Sequence, residues 1–536
     1  MLVNILKTRL VVTVAVLSLM ISACSKTKLD KVNPNQPGEA ALLSEDGMMR
    51  AALGVYSKFG LEYFWLSLTN HNIMGDNTFS SVGNFSWRWA NQPAKITLDD
   101  GVTVLTPPQG GTQGAELKNR NSRAFGSDNV FFNEWASMYL VNNQANVILA
   151  ACEDPRISYS GSADAVKSKK AALKAWSYWW KGFAYSRIGS LYIAGIINDK
   201  PNETNSDFKS SADIIAEANA NFDKAVTALN EVTDAAAYTT IISAAIPSMT
   251  KVGKGGNITV AEFKRQINTY KARNILVNKK IGEMTNADWT QILTLTADGL
   301  TSTDKILTMR TADANAVLGN SSAGWSPWRL LTGAWEFASE RWVQDFQPND
   351  ARKTRNLKLR ATPVVNNSSR GFQYGTRWDF IPIEQGGDYV SQTVGIAEIP
   401  MGCTYEENAL TRAEALIRTG AVEDGLKLID AVRTYQRASL PPLSGSGLDE
   451  AQAFLQLRSE RRIALFLKNT AFYDARRFGW ASKNGKRTGV VVIYTGGVVN
   501  SNATIDYNYL DYFDVPLNEI DFNSPSSGSA PVVFPY

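Results

Sequence analysis

The feature that most constrains this chain is a pair of apolar faces joined by a long polar connection. Leu173, Trp176, Trp180, Phe183, Arg187 and Leu191 recur at intervals of three and four, which is one face of a helix. Ile214, Ile215, Ala218, Phe222, Val226 and Leu229 make a second face of the same kind. The polar segment from Gly195 to Ser211, with Pro201 inside it, separates them, so the pattern predicts a helical hairpin with a long connection. Ala40–Lys58 and Phe131–Leu149 are also helical in pattern, and residues 75–130, rich in Gly, Asn, Ser, Thr and Pro, predict loops.

Helix starts are marked chemically as well. Thr259 and Glu262 form a capping box ahead of Phe263, Ile267 and Tyr270. Thr404 and Glu407 form a second, opening a helix through Leu410, Ala413, Leu416 and Ile417, with Gly420 placed to end it. A partner helix follows over about Val422–Tyr435, through Leu426, Ile429 and Val432. The unit from Thr404 to Arg437 spans about 34 residues, the period of a tetratricopeptide (TPR) repeat, with Ala415, Gly420 and Leu426 near the small, turn and packing positions. A generic αα-hairpin is the alternative. Few stretches alternate with period two, and Val490–Thr495 is the best strand candidate. The fold class expected is mainly α, with TPR-like hairpins, loop-rich insertions and minor β.

Composition narrows the function. Hydrophobic residues are 44%, enough for a large core, and the formal net charge is +4, which gives no case for nucleic-acid binding. One His excludes multi-His metal centres, and three Cys exclude a disulfide framework. Lys7 and Arg9 precede the apolar stretch Leu10–Met20, too short to span a bilayer, which takes about 18 residues. Ile21-Ser22-Ala23-Cys24 then reads as a lipoprotein signal, with Cys24 the lipidated residue and the membrane engaged through that lipid. Cys152 and Cys403 are then the remaining thiols, expected to be buried and unlinked, with a disulfide between them left open. The expected organisation is a signal peptide over 1–23, a tether over 24–38 and an N-terminal helical region over 39–240. An insertion over 241–330 and a C-terminal region over 331–536 complete it.

Catalytic signatures are sparse. G-x-S-x-G and P-loop patterns are missing, and Gly253-Lys254-Gly255-Gly256 reads as a flexible turn. His71, between Asn70 and Asn72, reads as a hydrogen-bonded loop residue, and the basic run Arg352, Lys353, Arg355, Lys358 and Arg360 as a solvated face. No catalytic residue, metal site or cofactor is assigned. A helical glycoside hydrolase is the enzymatic alternative, with no carboxylate pair singled out. Sugar binding instead needs flat rings beside short polar groups. Two clusters suit it: Trp87-Arg88-Trp89, after Asp76 and Asn77, and Trp325-Ser326-Pro327-Trp328. All seven of Asp76, Asn77, Trp87, Arg88, Trp89, Trp325 and Trp328 are therefore candidate ligand contacts, read as loop residues. Trp335 and Trp342, spaced with Leu331, Ala338 and Phe346, read instead as a buried helical face, and Trp176, Trp179 and Trp180 as helix packing.

Three segments carry a resemblance. TYEENALTRAEALI (residues 404–417), ERRIALFLKNTAFYDARRFGW (460–480) and YFDVPLNEIDFN (512–523) resemble, in that order, the signature segments of the SusD/RagB family of Bacteroidetes outer-membrane lipoproteins. Asn33-Pro34-Asn35, residues 170–189 and the Asp350-x-Arg352 stretch agree. The resemblance implies a TPR-like body with a loop-rich ligand region. It also implies a cell-surface position in the outer membrane as a lid on a SusC/RagA-type TonB-dependent β-barrel, to which oligosaccharide, or for some members peptide, is delivered. A lid with no ligand site of its own is the third reading. Within the signature, Glu460, Arg461, Arg462, Asp474, Arg476 and Arg477 read as internal ion pairs locking adjacent helices, and Pro516 and Glu519 as parts of a terminal turn.

Overall fold

The computed structural model describes residues 42–56, 58, 64–81, 84–108, 111–310, 335–366, 374–391, 393, 396–493 and 497–535. Its centre is the helix Ala163–Leu191, started by Ser162, whose hydroxyl accepts from the Ala165 N–H. Trp176, Trp179, Trp180 and Phe183 are wholly buried along it. Val130–Ala151 packs beside it, and Ser211–Asn230 lies along its length as the return arm of the hairpin. Gly182 permits that approach: a Cβ there would lie 2.6 Å from the Phe222 ring. The long connection holds a small antiparallel strand pair, Ala194–Ile196 with Phe208–Ser210.

The capping box of Thr259 and Glu262 starts the helix Val260–Val277 as expected. That helix and Asn286–Ala297 pack against Tyr405–Arg418, so residues 260–297 are integral to the helical body. At Thr404 the cap is half of the expected box. The Thr404 hydroxyl accepts from the Glu407 N–H, while the Glu407 carboxylate turns to Arg273, whose Nε lies 2.5 Å away. Tyr405–Arg418 and Val422–Tyr435 form the expected hairpin. Gly420, at φ +88°, closes the first helix: its N–H bonds to the Ile417 carbonyl and that of Ala421 to Leu416. The hairpin and the helix Glu450–Ala464 share an apolar cluster of their own, including Leu410, Ile417, Leu426, Ile429 and Leu457. The fold is thus mainly α with TPR-like hairpins.

An antiparallel sheet of short strands adjoins this body. Its order is Thr78–Ser80, Glu336–Ala338, Tyr374–Phe380, Lys486–Ile493, Val499–Asp506, Lys95–Thr97 and Val104–Leu105, with Leu357–Val365 also paired to Tyr374–Phe380. The strand at 486–493 contains most of the expected Val490–Thr495 run. The helical face expected over Leu331–Phe346 is corrected. Residues 331–334 lie outside the described residues, Glu336–Ala338 pairs with Thr78–Ser80, and only Glu340–Gln344 is helical. Pairing with a distant strand overrides a spacing that suits a helix. Trp342 is nonetheless buried, its Nε1 donating to the Arg462 carbonyl at 2.9 Å. Cys152 and Cys403 are free and buried. Among the described residues, no helix is long and apolar enough to cross a membrane.

Candidate functional site

The first tryptophan cluster is not a loop platform. Phe85 and Ser86 both take φ +58°, which folds the chain back so that Trp87–Ala90 forms one helical turn. Trp87 and Trp89 are buried in the main core. The guanidinium of Arg88 lies 4.6 Å from the Trp89 ring centroid and that of Arg120 4.1 Å. Asp76 and Asn77 are buried too. Asp76 accepts from Arg341 Nη2 at 2.6 Å and Nε at 2.8 Å, from Ser339 at 2.7 Å and from the Tyr507 hydroxyl at 2.5 Å. Burial pushes the Asp76 carboxyl up, but Arg341, backed by Arg487 and Arg462, holds it down at about 2. Asp76, Asn77, Trp87 and Trp89 are structural anchors and Arg88 is half-buried beside Trp89, a correction to the reading of an open ligand loop. Local polarity suggested solvent; distant arginines and the sheet claim the segment instead. Trp325, Trp328 and Cys24 lie outside the described residues.

Other expectations change for the same reason. His71 sits on the helix Phe64–Met74 rather than in a loop, buried, with Nε2 3.2 Å from Glu134, which also pairs with Arg187 at 2.5 Å. Of the basic run only Lys358 is exposed. Arg352 is buried between Asp350, at 2.7 Å, and Glu460, at 2.5 Å, while Arg355 and Arg360 pair with Asp388 and Asp379. Most of the expected ion pairs lock the helices, while Arg476 donates instead to the Ser190, Asp511 and Val277 carbonyls. Arg461 pairs with Asp474 at 3.0 Å, Arg477 with Glu414, Arg433 with Glu460 at 2.9 Å and Arg462 with Asp345 at 2.5 Å.

What these elements leave open is a cleft of about 490 Å³. One side is the turn before Ile258, where Gly253 takes φ +66° and the Glu398 carboxylate accepts the N–H groups of Lys254 and Gly255, each at 3.0 Å. The expected flexible turn is therefore pinned. The second side is the end of the hairpin, Tyr435, Gln436 and Arg437, and the floor is Phe466, Leu467 and Lys468. Asp388, Tyr389 and Arg355 close the third side.

Charge dominates it. Glu406 accepts from Lys254 at 3.1 Å and Gln436 at 3.2 Å, with Lys468 at 3.4 Å. Burial raises the Glu406 carboxyl, yet Lys468 and Lys254 together hold it well below the usual range. Burial lowers Lys468 itself, which sits deeper than Lys254. Asp388 is shared by Arg355 at 2.6 Å and Arg437 at 2.8 Å, and Arg310 approaches Glu398 at 3.5 Å. The Lys254 ammonium also lies 4.8 Å from the Tyr435 ring centroid. Such a cleft can hold a flat polar ligand by ring contact and by charged hydrogen bonds. Among the described residues, no group of three His, Cys, Asp or Glu is placed to hold a metal. Sequence reasoning missed the cleft because its parts lie between residues 254 and 468 with no shared local pattern; only the basic run pointed towards it.

Residues 405–524, which contain the hairpin end and the cleft floor, match the SusD family. Over that segment the chain is similar to the SusD family. Solved structures agree in fold across almost its whole length. A SusD-like protein from Bacteroides fragilis NCTC 9343 superposes with a TM-score of 0.53 at 16% identity, covering 92% of this chain and 98% of its own. A putative sugar binding protein from Bacteroides vulgatus ATCC 8482 gives 0.54 at 14% identity, over 91% and 98%. A structure described as carrying xylogluco-oligosaccharide gives 0.55 at 13% identity, over 91% and 99%. No curated protein matches this chain by sequence.

Proposed function

We propose that this chain is a non-catalytic glycan-binding lipoprotein, held on the outer surface of the outer membrane by lipid on Cys24. It captures oligosaccharide and passes it to a SusC/RagA-type TonB-dependent barrel. The observation that carries the reading is the family match over 405–524, which includes Glu406, Tyr435 and the floor Phe466, Leu467 and Lys468 of the cleft. Fold neighbours described as a sugar binding protein and as carrying xylogluco-oligosaccharide support the glycan over the peptide ligand. The cleft joins ring faces to charged hydrogen-bonding groups, which is what recognition of hydroxyl-rich ligands needs. Trp325 and Trp328 enter the proposal as additional stacking rings.

The test is calorimetric titration of the full chain with a panel of neutral and acidic oligosaccharides, alongside pull-down from outer membranes in mild detergent. The expected result is saturable binding of at least one glycan without release of cleavage products, and recovery of a large β-barrel with the wild type. Trp325→Ala/Trp328→Ala is expected to weaken binding by roughly tenfold to a hundredfold, at about 1 kcal/mol for each stacked ring. Cys24→Ala is expected to leave the membrane fraction. Glycan cleavage, or failure of every glycan to bind, would reject the reading.

A further inference from the structure

Resting on the glycan reading, we infer that the ligand of this cleft carries carboxylate groups, as uronic-acid oligosaccharides do, and that Lys254 and Arg437 are its charge-reading contacts. The lining holds six cationic side chains, Lys254, Arg310, Arg352, Arg355, Arg437 and Lys468, and three carboxylates, Asp388, Glu398 and Glu406. Directly behind it, Asp350 and Glu460 take Arg352, and Arg433 shares Glu460. The set, with its ion-pair partners, is seven cations to five carboxylates among the described residues. Glu406, Asp388 and Glu460 each serve two cations at once.

The contrast lies next door. Deeper in the same region Arg461 with Asp474 and Arg477 with Glu414 are matched pairs away from solvent. At the cavity wall the excess holds positive charges close together, which is unfavourable unless an anion joins them. A neutral sugar would leave that excess in place; a carboxylate would relieve it.

Position selects the contacts. Arg310, Arg352 and Lys468 have their heads largely enclosed, whereas the Lys254 side chain is 37% exposed and that of Arg437 71%. Both adjoin Tyr435, Lys254 over its ring and Arg437 two residues on in the chain. A sugar ring against Tyr435 would place an equatorial carboxylate within reach of a guanidinium, whose planar fork fits a carboxylate, and of an ammonium. The remaining cations set the local potential and stay in their present pairs.

The experiment titrates the full chain with oligogalacturonate, oligoalginate and glucuronoxylan oligosaccharides. Each is set against its methyl-esterified or carboxyl-reduced form, which keeps the shape and removes the charge. A xyloglucan oligosaccharide, a sulfated chondroitin oligosaccharide and tetraglutamate complete the set. At least one carboxylated glycan is expected to bind, about tenfold or more tighter than its uncharged form, and less tightly as salt is raised. Lys254→Met and Arg437→Met are each expected to weaken that binding about tenfold, with melting unchanged because Lys468 and Arg355 still hold Glu406 and Asp388. Equal binding of charged and uncharged forms, or binding of xyloglucan alone, would overturn the inference and leave glycan capture standing. Preference for the sulfated glycan would likewise overturn it. Binding of tetraglutamate alone, or of no probe, would overturn the inference and the glycan reading together. Unchanged affinity in both variants would remove Lys254 and Arg437 from the site.

Discussion

Around the helix Ala163–Leu191 the contacts are made by rings. Trp176, Trp179 and Trp180 meet edge to face at 4.7–5.6 Å between centroids, and Tyr56 and Phe183 extend the cluster. Between Arg341 and Arg477 the contacts are made by buried guanidinium–carboxylate pairs. The first region gains from removing apolar area from water, a contribution that tolerates small shifts in geometry. The second gains little net free energy from each pair, because desolvation offsets attraction, but it leaves only a few arrangements in which every charge is met. The comparison explains why the cleft sits where it does. A region built from paired charges, with a surplus at one wall, can present a charged cavity without collapsing; a ring cluster cannot.

Trp87 and Trp89 belong to the same ring-built core as the long helix. Truncating a large buried aromatic typically costs about 3–5 kcal/mol, so Trp87→Ala/Trp89→Ala is expected to give the largest loss of stability, visible as a much lower urea midpoint. Wild-type unfolding with weakened glycan binding would restore these rings to a ligand site.

Next comes Arg477→Met. It leaves Glu414 buried without its partner and is expected to cost about 3–5 kcal/mol by chemical denaturation. The double variant Arg477→Met/Glu414→Met is expected to recover most of that loss, since neither charge then remains. A double variant as unstable as the single one would mean that the pair contributes attraction rather than geometry.

The smallest expected effect concerns Glu336, on the strand beside Thr78. Burial raises its carboxyl to about 8, against which the 2.6 Å hydrogen bond from the Thr78 hydroxyl works only in part. The folded form therefore keeps its proton where the unfolded chain, with an ordinary value of about 4.3, has lost it. Stability is full below that ordinary value and falls as pH rises towards about 8. Glu336→Gln is expected to remove this slope and to stabilise the protein by on the order of 1–2 kcal/mol at pH 8, with little change at pH 4. Parallel melts across that range check it; identical slopes for the two proteins would refute the assignment.

Much of the helical body was legible before folding. The hairpin Val422–Tyr435 with its predecessor, the Thr259 cap and the left-handed Gly420 follow from rules that act within one or two turns. The sheet was largely hidden, because strands such as Thr78–Ser80, Lys95–Thr97 and Glu336–Ala338 have three residues each, too few to show a period of two. The polar segment after Asp76 was misread for a related reason. Its composition suits a loop in water, and nothing local announces that Arg341, 265 positions away in the chain, will claim the carboxylate.

Residues three or four apart are enough to set which segments become helices and where several begin and end, and residues 405–524 resemble the SusD family. Those properties depend on neighbours three or four residues apart, and such neighbours are present in any conformation of the chain. Which tryptophans are core, which arginines are sealed in pairs and which cations face a cavity depends on packing between distant segments. A charge or a ring has no environment until distant segments meet around it, and here Lys254, Asp388, Glu406, Arg437 and Lys468 meet only when the hairpin, the turn and the floor are packed together.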